Sequence, residues 1–414
     1  MAWTVHKFGG TSVADASCVR RVAGILAGFT GNLGVVVSAM KGVTDDLLGL
    51  VDKAARREPV DAALKALRER HERSATELLG AAGAKPVLAQ FNKELDDIQS
   101  ILKALSLVRS ASERSRDLIS GFGEVWSARQ IAAFFAQEFA GSRKVVFVDA
   151  REVLVIDKGE MGPVVAWDAS RPRLHAIVPE AFEGVAVITG FVGSDRDGLP
   201  TTLGRNGSDY SGSIFGALFD ATEVHIWTDV DGVMSGDPRR VPEAKIIDEM
   251  SYSEAMELAY FGAKVIHPQT MAPAVGRGIP IWIRNTFNAT HPGTKISAST
   301  SHREAAVKGI SGIDNVALVN LEGAGMIGVP GTADRLFGAL REASVSVMMI
   351  SQGSSEHSIC FAVAENTAEQ VRKVVERAFA AELQQGQVQR VEVTKGCAII
   401  AVVGDDMAGV PGSA

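Results

Sequence analysis

The stretch VHKFGGTSVADA (residues 5–16) sets a lysine ahead of two glycines and two small hydroxyls. That combination suits a phosphate. Lys7 supplies a point charge, and Gly9 and Gly10, lacking Cβ atoms, let backbone N–H groups close on phosphate oxygens. The helical pattern VADASCVRRVAGIL behind them would add the orphan N–H donors and positive dipole end of a helix start. The order is neither that of a P-loop, where lysine follows the glycines, nor that of the dinucleotide fingerprint. Taken alone, a Gly-Gly pair before a helix is more often only a turn.

Two later segments offer matching chemistry. In WTDVDGVMSGDPRRVPEAKII (residues 227–247), Thr228 and Asp229 close a strand and Asp231-Gly232 makes a tight turn. Arg239 and Arg240 are potential phosphate clamps there, although the segment also reads as an acidic loop with a proline turn. In TLGRNGSDYSGSIFGALF (residues 202–219), Arg205 can fork onto a carboxylate. Gly207 and Ser208 present approachable backbone, and Asp209 sits at the expected cap of an apolar helix. Spacing leaves Asp209 open as a cap or as a site residue. Lys264 precedes a helix start at His267-Pro268, where proline suits the first helical position and His267 reads as structural.

The elements that must position these residues show in the apolar pattern. Six short β-branched runs recur: WTVHKF, GVVVSAM, KVVFVDA, GVAVITGF, EVHIWTDV and IPIWIRNT, mostly with helical patterns between them. Continuous apolarity suits strands buried on both faces, hence a largely parallel sheet in an α/β sandwich with ligands at its carboxyl edge. From about residue 45 to 116 apolar residues recur at three- and four-residue spacing, a helical insertion between early strands. NATHPGTKISAST (residues 288–300) reads as a domain end. Beyond it the order strand, helix, strand, strand, helix, strand describes a small α+β unit. MIGVPGTA (residues 326–333) returns as MAGVPGSA (residues 407–414) with six of eight residues identical. The second copy lacks the helix that follows the first, so the repeat predicts a piece of a longer polypeptide.

Composition narrows the class. The 414 residues are 46% hydrophobic and 22% charged, enough for two or three domains. A net charge of −7 leaves no electrostatic footprint for nucleic acid or an anionic membrane, so an anionic ligand needs a local cluster of cations. No uncharged apolar run approaches the roughly 20 residues of a membrane span. The N-terminal stretch has a lysine and glycines where a signal peptide needs an apolar core. Cys18, Cys360 and Cys397 lack metal-ligand spacing and read as free buried thiols of a reducing compartment, the cytoplasm.

KFGGTSVA, SAMKGVTDDL, LGRNGSDYSG, WTDVDGVMSGDPR, SYSEAMELAYFGAKVIHP and ISQGSSEHSI, in this order and nearly end to end, resemble aspartate kinase of the amino-acid kinase superfamily. The long helical insertion and SQGSSEHS are most similar to the kinase half of bifunctional aspartokinase–homoserine dehydrogenases. The resemblance implies a three-layer αβα sandwich with a mainly parallel sheet over residues 1–295. It also implies ferredoxin-like ACT regulatory units, one at residues 307–396 and the start of a truncated second at 397–414. The implied reaction moves the γ-phosphoryl of ATP to the β-carboxylate of L-aspartate, the first step towards lysine, methionine and threonine. An aspartate carboxylate, with a reference pKa of about 4, needs no general base, so charge cancellation and positioning suffice.

The resemblance also implies site roles, motif by motif. Lys7, Phe8, Gly9, Gly10, Lys264 and Val265 surround the ATP phosphates, and Thr228, Asp229, Met234 and Arg239 match nucleotide contacts. Thr44, Glu124, Arg205, Asn206, Gly207 and Ser208 match aspartate contacts, with Arg205 on the α-carboxylate and Glu124 on the ammonium. Lys7, Asp209 and Lys264 form the catalytic set, Asp209 orienting a lysine. Mg²⁺ arrives bridging the ATP phosphates, with no dedicated protein cage. Implied partners are L-aspartate, a homo-oligomer, and an amino-acid effector, threonine before lysine. Met234 stands where relatives often have tyrosine, which removes a hydroxyl from the nucleotide contacts, and Asn206 stands where many have glycine. A sister kinase with another acceptor, and a non-catalytic ACT sensor with a vestigial kinase, are the alternative readings.

Overall fold

The computed structural model describes residues 2–160, 162–204, 206–262, 267–300, 307–353, 357–405 and 407. Contacts divide the chain into two units, one holding most residues up to Lys308 and the other holding Gly309–Val403.

The first unit opens with β1 (Trp3–Phe8), α1 (Ala16–Ala27), β2 (Asn32–Val37), α2 (Val43–Ala55), α3 (Asp61–Val108) and α4 (Glu113–Glu138). It continues through β3 (Lys144–Val148), α5 (Ala150–Val153), β4 (Ile156–Gly159), β5 (Gly162–Val165), α6 (Trp167–Ile177), β6 (Gly184–Thr189), β7 (Val192–Ser194) and β8 (Pro200–Thr202). It closes with α7 (Gly207–Leu218), β9 (Glu223–Thr228), β10 (Glu249–Ser251), α8 (Tyr252–Tyr260), α9 (Pro268–Val275), β11 (Ile281–Asn285) and β12 (Thr294–Ser297). His267 is the N-cap of α9 and Pro268 its first residue, the structural role expected for that histidine.

Eight strands make one sheet in the order β10-β12-β11-β9-β1-β2-β6-β3. Every neighbouring pair is parallel except β11 with β12. All six apolar runs lie in this sheet, and β2 and β6 are buried at every position, which is why they read as unbroken apolar stretches. Residues of α1, α3 and α4 pack on the face carrying Phe8, Val35, Val187 and Trp227. Helix α7 packs on the other, where Gly216 meets Val224 and Phe219 meets Gly34. The first face also carries a row of rings in register across three strands: His6 stacks on His225 at 4.7 Å and His225 on Trp282 at 6.2 Å. Trp227 donates its indole N–H to His6 Nδ1 at 3.2 Å.

The helical segment is the run α2–α3–α4, with α3 kinked at Gly80. Leu47, Leu50, Phe91, Leu95, Ile98 and Trp126 form its core. Within it Glu94 accepts hydrogen bonds from Trp126 Nε1 (2.8 Å), Gln90 Nε2 (2.9 Å) and the two terminal guanidinium nitrogens of Arg129 (2.9 and 3.0 Å). Burial alone would raise this carboxyl, but the Arg129 fork, with Gln90 and Trp126, holds it below its ordinary value.

The second unit contains β13 (Gly309–Glu322), α10 (Thr332–Glu342), β14 (Met349–Gln352), β15 (Ser358–Ala364), α11 (Ala368–Ala378), α12 (Ala380–Gln384) and β16 (Arg390–Val403). Its antiparallel sheet has the order β14-β15-β13-β16. Leu336, Leu340, Val371 and Val375 of the helices pack on Val319, Leu321 and Phe361. Strand β16 runs on through Gly396 and pairs with β13 on both sides of it, so residues 396 and 397 lie within one strand. Met407 is described, while the rest of the repeated copy lies outside the described residues.

The three cysteines are free, but only Cys18 is buried. Cys360 alternates with the core residues Ile359 and Phe361 and therefore points away from the core, half-buried. Cys397 is half-buried too, which corrects the expectation of three buried thiols. Among the described residues no helix is long and apolar enough to cross a membrane.

Candidate active site

Strand alternation decides what the end of β1 presents. His6 and Phe8 face the α1–α4 side, fully buried, so Lys7 faces α7. Only 8% exposed, Lys7 pairs through Nζ with the Asp209 carboxylate. Gly212, nearly one turn further along α7, lies against the lysine stem: a Cβ there would sit 3.0 Å from Lys7 Cβ. Asp209 is not the cap of this helix. Asn206 is, in the left-handed region with φ 58, and its carbonyl accepts the Asp209 and Tyr210 N–H groups. The Asp209 carboxylate turns instead to a buried ammonium, a stronger partner than a peptide N–H.

The glycine loop behind Lys7 is tied by its backbone. Gly9 N–H donates to the Trp227 carbonyl (3.3 Å), Lys41 N–H to the Gly10 carbonyl (3.1 Å), and Ser12 N–H to the Gly9 carbonyl (2.9 Å). A Cβ on Gly10 would lie 3.0 Å from the Ala39 carbonyl oxygen, so the loop needs glycine there. The helix expected to lend its dipole does not begin directly behind the loop. It starts at Ala16, and the Asp15 carboxylate already caps it by accepting the Cys18 N–H at 2.9 Å. An anion thus occupies the α1 start, and the phosphate chemistry rests on Lys7 and the loop.

Glu124 is a buried acid in the middle of α4, 3% exposed. Burial pushes its carboxyl up to about 8, against the opposing pull of the Ala39 N–H hydrogen bond and the Lys7 charge. Its Oε2 is buried and finds no hydrogen-bond partner. An opposite charge brought beside this oxygen would favour its ionised form. Thr44 lies in the first turn of α2, whose N-cap Gly42 supplies no side-chain cap. Ser208 sits against Gly190, where a Cβ would come within 3.1 Å of Ser208 Oγ.

Thr228 ends β9 next to β1, and its hydroxyl donates to Asp229 at 3.2 Å. Met234 is half-buried and bridges to Ile246. Arg239 is exposed and forks onto Asp237, with contacts of 2.6 and 3.0 Å, holding that carboxyl down to about 2. Lys7, Gly9, Gly10, Asp209 and Glu124 are therefore drawn together around the end of the central strand, with Thr228 and Asp229 on the neighbouring strand end. Arg205, Lys264 and Val265 lie outside the described residues.

The sequence reading took Ser12 only as a small hydroxyl of the glycine loop and missed its partner Thr286, and Gly212, altogether. Ser12 Oγ and Thr286 Oγ1, both fully buried, stand 2.6 Å apart. Thr286 N–H donates to the Thr228 carbonyl at 2.9 Å. A lone threonine after a strand carries no signal. Gly212 carried a faint one, a small residue three positions after Asp209 on one helix face.

The second unit holds a cavity of about 320 Å³ lined by Met326, Val329, Pro330, Thr332, Gln352 and Ile359. Helix α10 opens onto it with Gly331 as N-cap and no side-chain cap.

Comparison with known proteins followed the same division. The model of the "Amino acid kinase family" matches residues 2–285, and that of the "ACT domain" matches residues 319–379. The chain is 40% identical over 419 residues to bifunctional aspartokinase/homoserine dehydrogenase 1, chloroplastic, of Arabidopsis thaliana, which covers 99% of this chain and 46% of that protein. It spans about half the length of curated relatives such as this one. Among solved structures, E. coli aspartokinase III in complex with aspartate and ADP superposes with a TM-score of 0.79 at 28% identity, over 99% of this chain and 89% of that one. The same enzyme in complex with lysine and aspartate gives a TM-score of 0.76 at 28% identity, over 98% and 87%.

Proposed function

The chain belongs to the amino acid kinase family, and within it we propose an aspartate kinase: an enzyme that transfers the γ-phosphoryl of ATP to the β-carboxylate of L-aspartate. The observation that carries this reading is the convergence of the buried Lys7–Asp209 pair and the Glu124 carboxyl, with its unpartnered Oε2, at the end of β1. It supplies one fixed cation for phosphate oxygens and one buried acid for a ligand ammonium.

The acceptor carboxylate is ionised at neutral pH and attacks the γ-phosphorus directly. A new P–O bond forms to aspartate, the bond to the β-phosphate bridging oxygen breaks, and ADP leaves with the electron pair. Lys7, oriented by Asp209, neutralises charge on the transferring group, and Lys264 with Val265 flanks the phosphates. Gly9, Gly10 and Phe8 shape the loop around them. Glu124 binds the α-ammonium and Arg205 the α-carboxylate, while Thr44, Asn206, Gly207 and Ser208 complete the acceptor pocket. Thr228, Asp229, Met234 and Arg239 contact the nucleotide, Arg239 by exchanging Asp237 for a phosphate. The carboxylate beside Lys7 is spent on that lysine, which fits a Mg²⁺ carried in on the ATP phosphates better than one caged by protein. When bound, the ion neutralises phosphate charge.

We propose the catalytic region at 1–295, with its helical insertion at about 45–116, and regulatory repeats at 307–396 and 397–414, the two sharing strand β16. The cavity beside Gly331 would take a small amino acid, its carboxylate at the uncapped start of α10. Threonine is the first candidate and lysine the second, acting on a homo-oligomer in the cytoplasm.

The test incubates the protein with Mg-ATP, L-aspartate and hydroxylamine, which traps acyl phosphates as hydroxamates. Hydroxamate that depends on aspartate, and that falls on the order of 10²-fold in Lys7→Ala, is the expected result. ATP binding without hydroxamate would overturn it in favour of an amino-acid sensor. Hydroxamate only with glutamate would indicate a sister kinase.

A further inference from the structure

We propose that Thr286 is a positioning residue for the nucleotide phosphates, locking the glycine loop and the end of β9 into one frame. The inference rests on the reading of residues 7–10 as the phosphate grip. The end of β11 and the loop after it make four hydrogen bonds to three residues distant in sequence, Ser12, Thr228 and Asp231. The Thr286 hydroxyl meets the Ser12 hydroxyl at 2.6 Å, across 274 residues of chain, with both residues fully buried. The Thr286 N–H donates to the Thr228 carbonyl at 2.9 Å. On either side, Asn285 Nδ2 (2.7 Å) and Asn288 Nδ2 (3.1 Å) both donate to Asp231 Oδ1 in the turn after β9.

Ser12 is the residue that closes the glycine turn, through its N–H to the Gly9 carbonyl. Its hydroxyl is buried and needs a partner, because an unsatisfied buried hydroxyl is costly. Thr286 is that partner, and the same residue fixes Thr228. The lysine-glycine loop already meets β9 through the Gly9 N–H on the Trp227 carbonyl, and Thr286, a residue outside both, adds a second tie between the far side of the loop and the Thr228 end. Phosphate binding by backbone groups is sensitive to displacements of about 1 Å, so loss of the tie should act on nucleotide binding more than on folding.

The experiment measures Mg-ADP affinity by titration calorimetry on the full chain, with thermal unfolding of each variant alongside. Thr286→Val and Ser12→Ala are each expected to weaken Mg-ADP about tenfold, and the double variant no more than either alone, because both remove one bond. Thr286→Ser, which keeps the hydroxyl, is expected within about twofold of the wild type. If Thr286→Val does not fold, Ser12→Ala and the serine variant carry the same test from the other side of the bond. Unchanged Mg-ADP affinity in both variants, additive losses, or failure of serine to restore affinity would each overturn the proposal while leaving the nucleotide site standing. Wild-type protein that binds no Mg-ADP would overturn the phosphate reading and this inference with it.

Discussion

Glu124 shows how much one residue's surroundings can decide. Its acid group, pushed up to about 8 by burial, is protonated in the ligand-free protein near neutrality. A bound ammonium requires the carboxylate, so ligand binding must expel that proton. The sign follows: KM for aspartate should fall by up to about tenfold per pH unit from pH 6 towards 8, then level off. Initial rates across that range check this. Glu124→Gln should raise KM about 100-fold or more, as expected when one partner of a buried charge pair is lost, and should flatten the pH dependence. A glutamine variant that kept the slope would assign the proton to another group. Glu124 entered the sequence reading only through a family resemblance, because one glutamate in the helical pattern ISGFGEVWSA looks like any other. Its burial and its empty oxygen exist only once α4 packs beside Ala39.

Two elements carry the site, and their packing makes separable predictions. On α7, Gly212→Ala gains about 1 kcal/mol of helix propensity but places a Cβ 3.0 Å from that of Lys7. We expect kcat/KM for ATP to drop about tenfold, a loss of about 1.4 kcal/mol, while the urea midpoint stays at or above the wild-type value. Loss of stability without loss of activity would contradict this account of the contact. In the helical segment, Arg129 forks onto Glu94 between α3 and α4. Arg129→Ala leaves that carboxylate with only Trp126 and Gln90. Destabilisation of about 2–3 kcal/mol is expected in urea unfolding, below the ~3–5 of a fully buried pair because Arg129 keeps some solvent contact.

Across the whole molecule, buried histidines set the response to acid. Burial holds His6 well below its ordinary pKa, with His225, Arg284 and Arg143 adding to the effect. Burial also lowers His225, against the pull of Glu223, and takes His71 down to about 4. The native state keeps all three neutral, whereas the unfolded chain takes up their protons below about pH 6.5. Stability is therefore full above that pH and declines as pH falls towards 5. Glu124 opposes this, since its native proton favours the folded state over the same range, but one carboxyl is outnumbered by three imidazoles. The expected net loss is on the order of 1–3 kcal/mol per pH unit, read as the fall in unfolding midpoint from pH 7 to 5. A midpoint unchanged or rising over that interval would contradict it.

The amino-acid sequence by itself determined the parallel core, because strands buried on both faces must be apolar throughout and six such runs stand out at strand length. It also determined that Lys7 and the glycines meet, because they are neighbours in the chain. The order of the second unit was legible for the same reason: its periodicities switch between two and 3.6 residues in sequence. Tertiary structure alone decided which partners those residues take. Asp209 reads equally well as a helix cap or as an ion-pair partner until α7 lies across β1. The helix behind the glycines reads as a phosphate-binding start until Asp15 is seen to cap it. Ser12 and Thr286 have no relation along the chain, since a hydrogen bond between residues so far apart forms only when the sheet brings β1 and β11 to the two sides of β9.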